Sequence, residues 1–301
     1  MFVRLEAALC AFEGTATATV APSGYAANMA ALEALGGRDA VIFSDELNHA
    51  SIIDGCRASR ARVEVFAHRD LDDLERRLRE CDGRCVIVTD GVFSTEGTVA
   101  DVRGLAELAD RYEAWLVVDE AHATGVVGDD GRGTVAAAGA SDNPLVVRVV
   151  TFSKALGASG AAVCGADTVR QLLLQRGRPL IYSTALPHPV IAAALAAVEV
   201  LQRETELRRS LRANVQLLHE ELDGLATDTH DCSLPMVPVP IGEATHAMEV
   251  ENALWDAGWM VHALRPPTVP PGASRLRITA SALHEPEDIR GLAAALRTIL
   301  V

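Results

Sequence analysis

Short runs rich in Val and Ile alternate with helix-periodic stretches through the first 200 residues, and this alternation constrains the fold more than any other feature. The clearest apolar runs cover residues 85–89, 115–119, 146–152 and 161–165, with helical patterns at 71–80 and 102–112. Strands separated by helices read as βαβ units with right-handed crossovers, so a mostly parallel central sheet covered by helices is expected. The runs are apolar nearly throughout rather than alternating, as strands buried on both faces are. A helical pattern at 26–35 and a short apolar run at 40–43 extend the same organisation.

Past residue 188 the pattern changes. Residues 189–225 read as two successive helices, the second amphipathic over 208–225. Strands are then expected at 236–241, 259–264 and 276–280, and helices at 246–257 and 285–300. A Pro-rich loop, RPPTVPPG, occupies 265–272. The expectation is an α/β protein with a large domain over 1–200 and a smaller α+β domain over 201–301.

A formal net charge of −14 argues against a general nucleic-acid binder, because neutralising phosphates needs a basic surface. The six cysteines (Cys10, Cys56, Cys81, Cys85, Cys164 and Cys232) are scattered, and the Cys81/Cys85 pair has no second pair. They read as reduced thiols of a cytoplasmic protein, neither a disulfide framework nor a zinc site. No basic start followed by an apolar run marks a signal peptide. No apolar run reaches the roughly 18 residues of a membrane span.

In an open parallel sheet, ligands sit beyond the carboxyl ends of the strands. The polar residues that follow the apolar runs are Asp90 with Ser94, Asp119 with His122, and Thr151 with Lys154. Lys154, in TFSKALG, is the only lysine among 27 basic residues. A lysine buried at a strand end has its pKa lowered by desolvation, so its neutral amine can attack an aldehyde. The alternative is a surface lysine with a snorkelling stem. Asp119 can keep a pyridine nitrogen protonated, or simply cap the following turn. His122 can reach a phenolic oxygen of such a ring, or be an ordinary loop histidine. Ser23, Gly24 and Tyr25 precede the 26–35 helix, and a helix N-terminus with free N–H groups suits a phosphate, to which Thr151 can add a hydroxyl. The flat imidazole of His49, in DELNHASI, can stack on a planar cofactor or serve as a structural histidine. No GxGxxG is followed by an acidic residue about twenty positions on, which excludes a Rossmann-type dehydrogenase.

Together SGYAAN, LNHAS, TDGVFSTEG, VVDEAH and TFSKALG resemble, in order and spacing, the α-oxoamine synthase family of fold-type I pyridoxal-phosphate enzymes. The resemblance covers essentially the whole chain. It implies a fold-type I aminotransferase-like architecture, pyridoxal 5′-phosphate as cofactor, and a homodimer. It implies that Lys154 holds the cofactor as a Schiff base and then acts as base, while Asp119 pairs with the pyridine nitrogen. His122 and Ser94 are implied near the ring oxygen, His49 stacked on the ring, and Gly24, Tyr25 and Thr151 at the phosphate end. Thr268 is implied to contact substrate, and Arg277 the amino-acid carboxylate, for which a guanidinium fork suits.

RPPTVPPGASRLRIT looks most like the family member of the biotin pathway, implying decarboxylative condensation of L-alanine with pimeloyl-CoA or pimeloyl-acyl carrier protein. Sister enzymes using glycine or serine are the alternative. The stretch that the family usually carries upstream of Phe2-Val3-Arg4-Leu5-Glu6 has no counterpart here, implying a late start or a truncated form; a non-catalytic, cofactor-binding or dimerising subunit is then a further alternative. Ala123 replaces a common glycine or serine after DEAH. For an acidic carrier protein, Arg57, Arg60 and Arg62 or the Arg176/Arg178 pair can form a basic patch, or be solvated surface arginines.

Overall fold

The structure is a computed structural model and describes residues 1–225 and 231–300. The chain runs α1 (Phe2–Glu13), β1 (Thr17–Ala21), α2 (Gly24–Leu35), β2 (Ala40–Asp45), α3 (Ala50–Ala58), β3 (Arg62–Phe66), α4 (Leu71–Arg79), β4 (Arg84–Asp90), β5 (Val92–Phe93) and β6 (Thr98–Val99). It continues α5 (Val102–Arg111), β7 (Trp115–Asp119), α6 (Gly133–Ala137), β8 (Val146–Thr151), β9 (Ala161–Gly165), α7 (Asp167–Arg176), α8 (Arg178–Ile181) and α9 (His188–Arg203). Then follow α10 (Thr205–Glu221), β10 (Met236–Gly242), α11 (Ala244–Asp256), β11 (His262–Leu264), β12 (Ser274–Thr279) and α12 (Pro286–Ile299). Contacts divide the chain into two units, Met1–Phe93 with Val99–Arg203, and Ser94–Thr98 with Glu204–Val301. A division after residue 200 falls inside α9, and Ser94 belongs with the C-terminal unit.

The first unit is built on a seven-stranded sheet of order β1-β9-β8-β7-β4-β2-β3. β2, β3, β4, β7 and β8 pair in parallel, as expected. β9 is antiparallel to both β8 and β1, which the apolar run alone does not announce. The link 152–160 explains it, being shorter than the dozen or so residues a parallel crossover needs.

Each face of the sheet is sealed by helices. Ala27, Ala31 and Leu35 of α2 pack on Val86, Val88, Val117 and Val147. On the other face Leu74 of α4 and Leu105 and Ala109 of α5 pack on Ile87, Leu116 and Val118. Alanines on α2 let the helix approach closely. At Gly55 of α3 a Cβ would lie 2.9 Å from Leu32 Cδ1 and 3.3 Å from Asn28 O, so only glycine admits this α2–α3 contact.

The second unit is a three-stranded antiparallel sheet, β10-β12-β11, whose Val237, Leu276 and Ile278 pack on Leu218, Leu254 and Leu296. The strand expected at 259–264 shrinks to β11. Trp259 N instead donates to Leu254 O at 2.8 Å past Gly258 (φ 89°), so residues 257–259 close α11. The helix expected at 208–225 is α10, which begins and ends earlier. No helix among the described residues is long and apolar enough to cross a membrane. All six cysteines are free thiols.

Candidate active site

Strand alternation decides which polar residues meet. Val86, Val88, Val117, Val147 and Val149 face α2, so at the carboxyl ends Asp90, Asp119 and Thr151 turn to the same side. Asp119 is buried there. Its Oδ2 accepts from Asn28 Nδ2 at 2.6 Å and its Oδ1 from Ala121 N at 2.9 Å. Desolvation raises its pKa, opposed by these bonds and by the nearby His49 and Lys154. A carboxylate has about four acceptor sites, so two donors leave room for a ligand's N–H.

His49 is the N-cap of α3, its ring Nδ1 accepting from Ser51 N at 3.2 Å, while its backbone N donates to Asp90 Oδ2 at 2.7 Å. Asp90 N in turn donates to Asn48 Oδ1 at 2.8 Å. At the N-terminus of α2, Ser23 caps Ala26 N at 3.1 Å. Among the described residues no acceptor meets the N–H groups of Gly24 and Tyr25. Thr151 Oγ1 lies 3.2 Å from Ser153 Oγ, and a Cβ on Gly24 would come within 3.2 Å of the same Thr151 oxygen. Two hydroxyls beside a helix N-terminus make a setting for a phosphate. The Tyr25 hydroxyl donates to Asp54 Oδ2 at 2.6 Å.

One expectation needs correction. Lys154 is exposed in this chain, not buried as the sequence suggested. The loop after β8 folds back on itself, with Gly157 N donating to Lys154 O and Ala158 N to Phe152 O. His122, half-buried, sits in the turn after β7.

Three expected residues belong to the other unit. Ser94 is half-buried and Thr268 is exposed. Arg277 lines a cavity of about 460 Å³ with His262, His284, Asp288 and Trp259, and burial draws its pKa down. Arg275, two residues before it, donates to Thr95 O at 3.3 Å and so anchors the segment that carries Ser94.

The sequence reading missed Asn28, Ser51 and Ser153. Asn28 had a signal, being a polar residue on the buried face of an alanine-rich helix. Of the candidate basic patches, Arg57 and Arg62 pair with Asp54 and Glu64. Arg60, Arg176 and Arg178 join Arg84 around an open concavity of about 670 Å³. It lies at the amino ends of β2 and β4, about 20 Å along β4 from Asp90 at 3.3 Å per residue.

A buried carboxylate and a lysine at strand ends of an α/β sheet, with a phosphate-type helix terminus, define a class that comparison bears out. The chain belongs to the aminotransferase class I and II family, whose sequence model matches residues 2–296. It is 46% identical over 299 residues to the 8-amino-7-oxononanoate synthase of Trichlorobacter lovleyi, covering 98% of this chain and 76% of that protein. The 8-amino-7-oxononanoate synthase of Anaeromyxobacter sp. (strain K) is likewise 46% identical over 297 residues, covering 98% and 74%. Among solved structures, Sphingomonas wittichii serine palmitoyltransferase matches with a TM-score of 0.93 and 30% identity, covering 99% and 75%. The 8-amino-7-oxononanoate synthase of Francisella tularensis matches at 0.86 and 29%, covering 99% and 87%.

Proposed function

We propose that this chain is a pyridoxal-phosphate enzyme that condenses L-alanine with a pimeloyl thioester, releasing the thiol and CO₂ to give 8-amino-7-oxononanoate for biotin synthesis. The observation that carries the reading is the buried, incompletely satisfied Asp119 in the neighbourhood of the only lysine. The 46% identity to named synthases over 98% of the chain supports the substrates.

The residues fit the cofactor. Asp119 would hold its protonated ring nitrogen, the Gly24 and Tyr25 N–H groups with Thr151 and Ser153 its phosphate, and His49 would lie flat against its ring. His122 and Ser94 would serve its ring oxygen. When bound, pyridoxal phosphate supplies an aldehyde carbon for an amine and a ring that withdraws electrons from it. Lys154 would hold the cofactor through its Nζ and, with alanine bound, would accept the proton from alanine Cα. Asp119 would keep the ring nitrogen protonated. Arg277 would hold the alanine carboxylate through its fork, and Thr268 would contact substrate.

The assembly we infer is a cytoplasmic homodimer, the compartment being supported by six free thiols. The acyl donor would be pimeloyl-CoA or pimeloyl-acyl carrier protein. The arginine concavity gives no support to a carrier dock, since the packed sheet lies between it and Asp119.

The test uses the lone lysine. With pyridoxal phosphate the purified chain should absorb in the visible, and borohydride should fix the label on the Lys154 peptide. Lys154→Ala should lose both. A colourless protein, or label on the α-amine alone, would overturn the reading. The likeness to a serine palmitoyltransferase favours one second reading, a sister enzyme using serine or glycine. L-alanine should perturb the band more than either; the reverse order would move the assignment.

A further inference from the structure

The buried groups behind His49 admit one arrangement of hydrogens. Asn28 Nδ2 donates to Asp119 Oδ2 at 2.6 Å and to Ser51 Oγ at 2.9 Å, which uses both hydrogens of an amide nitrogen. Ser51 Oγ therefore accepts from Asn28, and its own hydrogen is left for His49 Nδ1 at 2.7 Å. The Ser51 backbone N–H points to that same Nδ1 at 3.2 Å. A nitrogen that accepts from two donors carries no proton, so the neutral ring keeps its hydrogen on Nε2.

The opposite direction fails at one place. Turning the Asn28 amide would make Oδ1 face both Asp119 and Ser51. The Asp119 carboxyl would then have to carry a proton, Ser51 Oγ–H would donate to Asn28, and Ser51 Oγ would accept from a protonated His49 Nδ1. The backbone N–H of Ser51 would then meet a donor instead of an acceptor. A peptide N–H cannot be reversed, so the first turn of α3 sets the direction of the chain as far as Asp119.

We propose that Asn28 and Ser51 are positioning residues that fix His49 as the Nε2–H tautomer and Asp119 as a pure acceptor. The chain begins at a backbone amide and ends on the carboxylate. Its effect is to present an N–H on the free edge of the His49 ring and a charged oxygen pair on Asp119. Asn28 Oδ1 is left buried without a partner, a terminus of this network. The inference deepens the proposed reading of this site and rests on it for its consequence in catalysis. The proton arrangement itself does not depend on a bound cofactor.

The experiment reads the tautomer directly. The full chain is labelled with ¹⁵N-histidine, and the His49 ring signals are identified by their loss in His49→Gln. Without cofactor, His49 Nδ1 should show the downfield shift of a bare ring nitrogen and Nε2 that of a protonated one. Ser51→Ala removes the shorter of the two donors to Nδ1 and keeps the peptide N–H, so the Nδ1 signal should move further downfield while Nε2 stays protonated. An Nδ1–H tautomer in the unaltered chain would overturn the proposal, as would an Nδ1 signal indifferent to Ser51→Ala. The wild-type spectrum decides the first point even if the variant does not fold. Borohydride labelling of Lys154 tests the cofactor reading separately, so the two can fail independently.

Discussion

Asp119 and Glu120 are neighbours in the chain, both are buried, and burial raises the pKa of both, yet they face opposite sides of one sheet. On the α6 side, Glu120 accepts from Thr134 N at 2.9 Å, Thr134 Oγ1 at 3.0 Å and Val135 N at 2.8 Å. There is no spare space: a Cβ on Gly133 would lie 2.6 Å from Glu120 Oε2. On the α2 side, Asp119 has two donors. A closed carboxylate fastens a loop to a strand. A carboxylate short of donors marks where a ligand completes the set.

The sharpest way to break this comparison is a pair of isosteric amides. Asp119→Asn should lower kcat on the order of 10²–10³, the scale of a lost electrostatic partner, while the protein stays folded. Equal loss of kcat per folded molecule in Glu120→Gln would end the distinction.

A second buried carboxylate on the side of Glu120 sharpens the contrast through pH. Glu13 Oε2 accepts from Arg148 Nη1 at 3.0 Å, yet desolvation outweighs that pull and lifts its carboxyl from 4.5 to about 7. Between those values the folded protein holds a proton that the unfolded chain has released. Its contribution is therefore complete below pH 4.5 and is lost as pH rises through about 7. Urea unfolding at pH 5 and pH 8 should show wild type losing up to about 3 kcal/mol relative to Glu13→Gln. Parallel behaviour of the two proteins would mean that the ion pair, not burial, governs Glu13.

Glu120→Gln should then cost about 1–3 kcal/mol of stability by urea unfolding, since two backbone amides and a hydroxyl share one oxygen fewer as acceptor. Least of all, Arg60→Gln, in the concavity at the far ends of the strands, should change stability within about 0.5 kcal/mol and leave kcat within twofold. A large fall in turnover there would bring that concavity into the reaction.

Much of this was legible in the residues. β7 and β9 coincide with apolar runs because strands covered on both faces must be apolar throughout. The direction of β9 is written in the length of its link, not in its composition. Asp119 and His49 stand at element ends, where sequence alone makes them visible. Asn28, Ser51 and Ser153 act through neighbours brought by the α2–α3 packing and the β8 loop, and no local pattern reports such a meeting. The exposure of Lys154 was equally hidden, because it follows from how the loop after β8 folds, which no local pattern reports.

Helix α2 does two jobs at once. Its first residue, Gly24, lies against Thr151, and its fifth, Asn28, grips Asp119. Those residues are four apart, about 6 Å along a rod that rises 1.5 Å per residue. The rod is clamped to the sheet by its alanines and to α3 through Gly55, so it cannot stretch. It therefore acts as a spacer that holds Thr151 and Asp119, through Gly24 and Asn28, at one fixed separation.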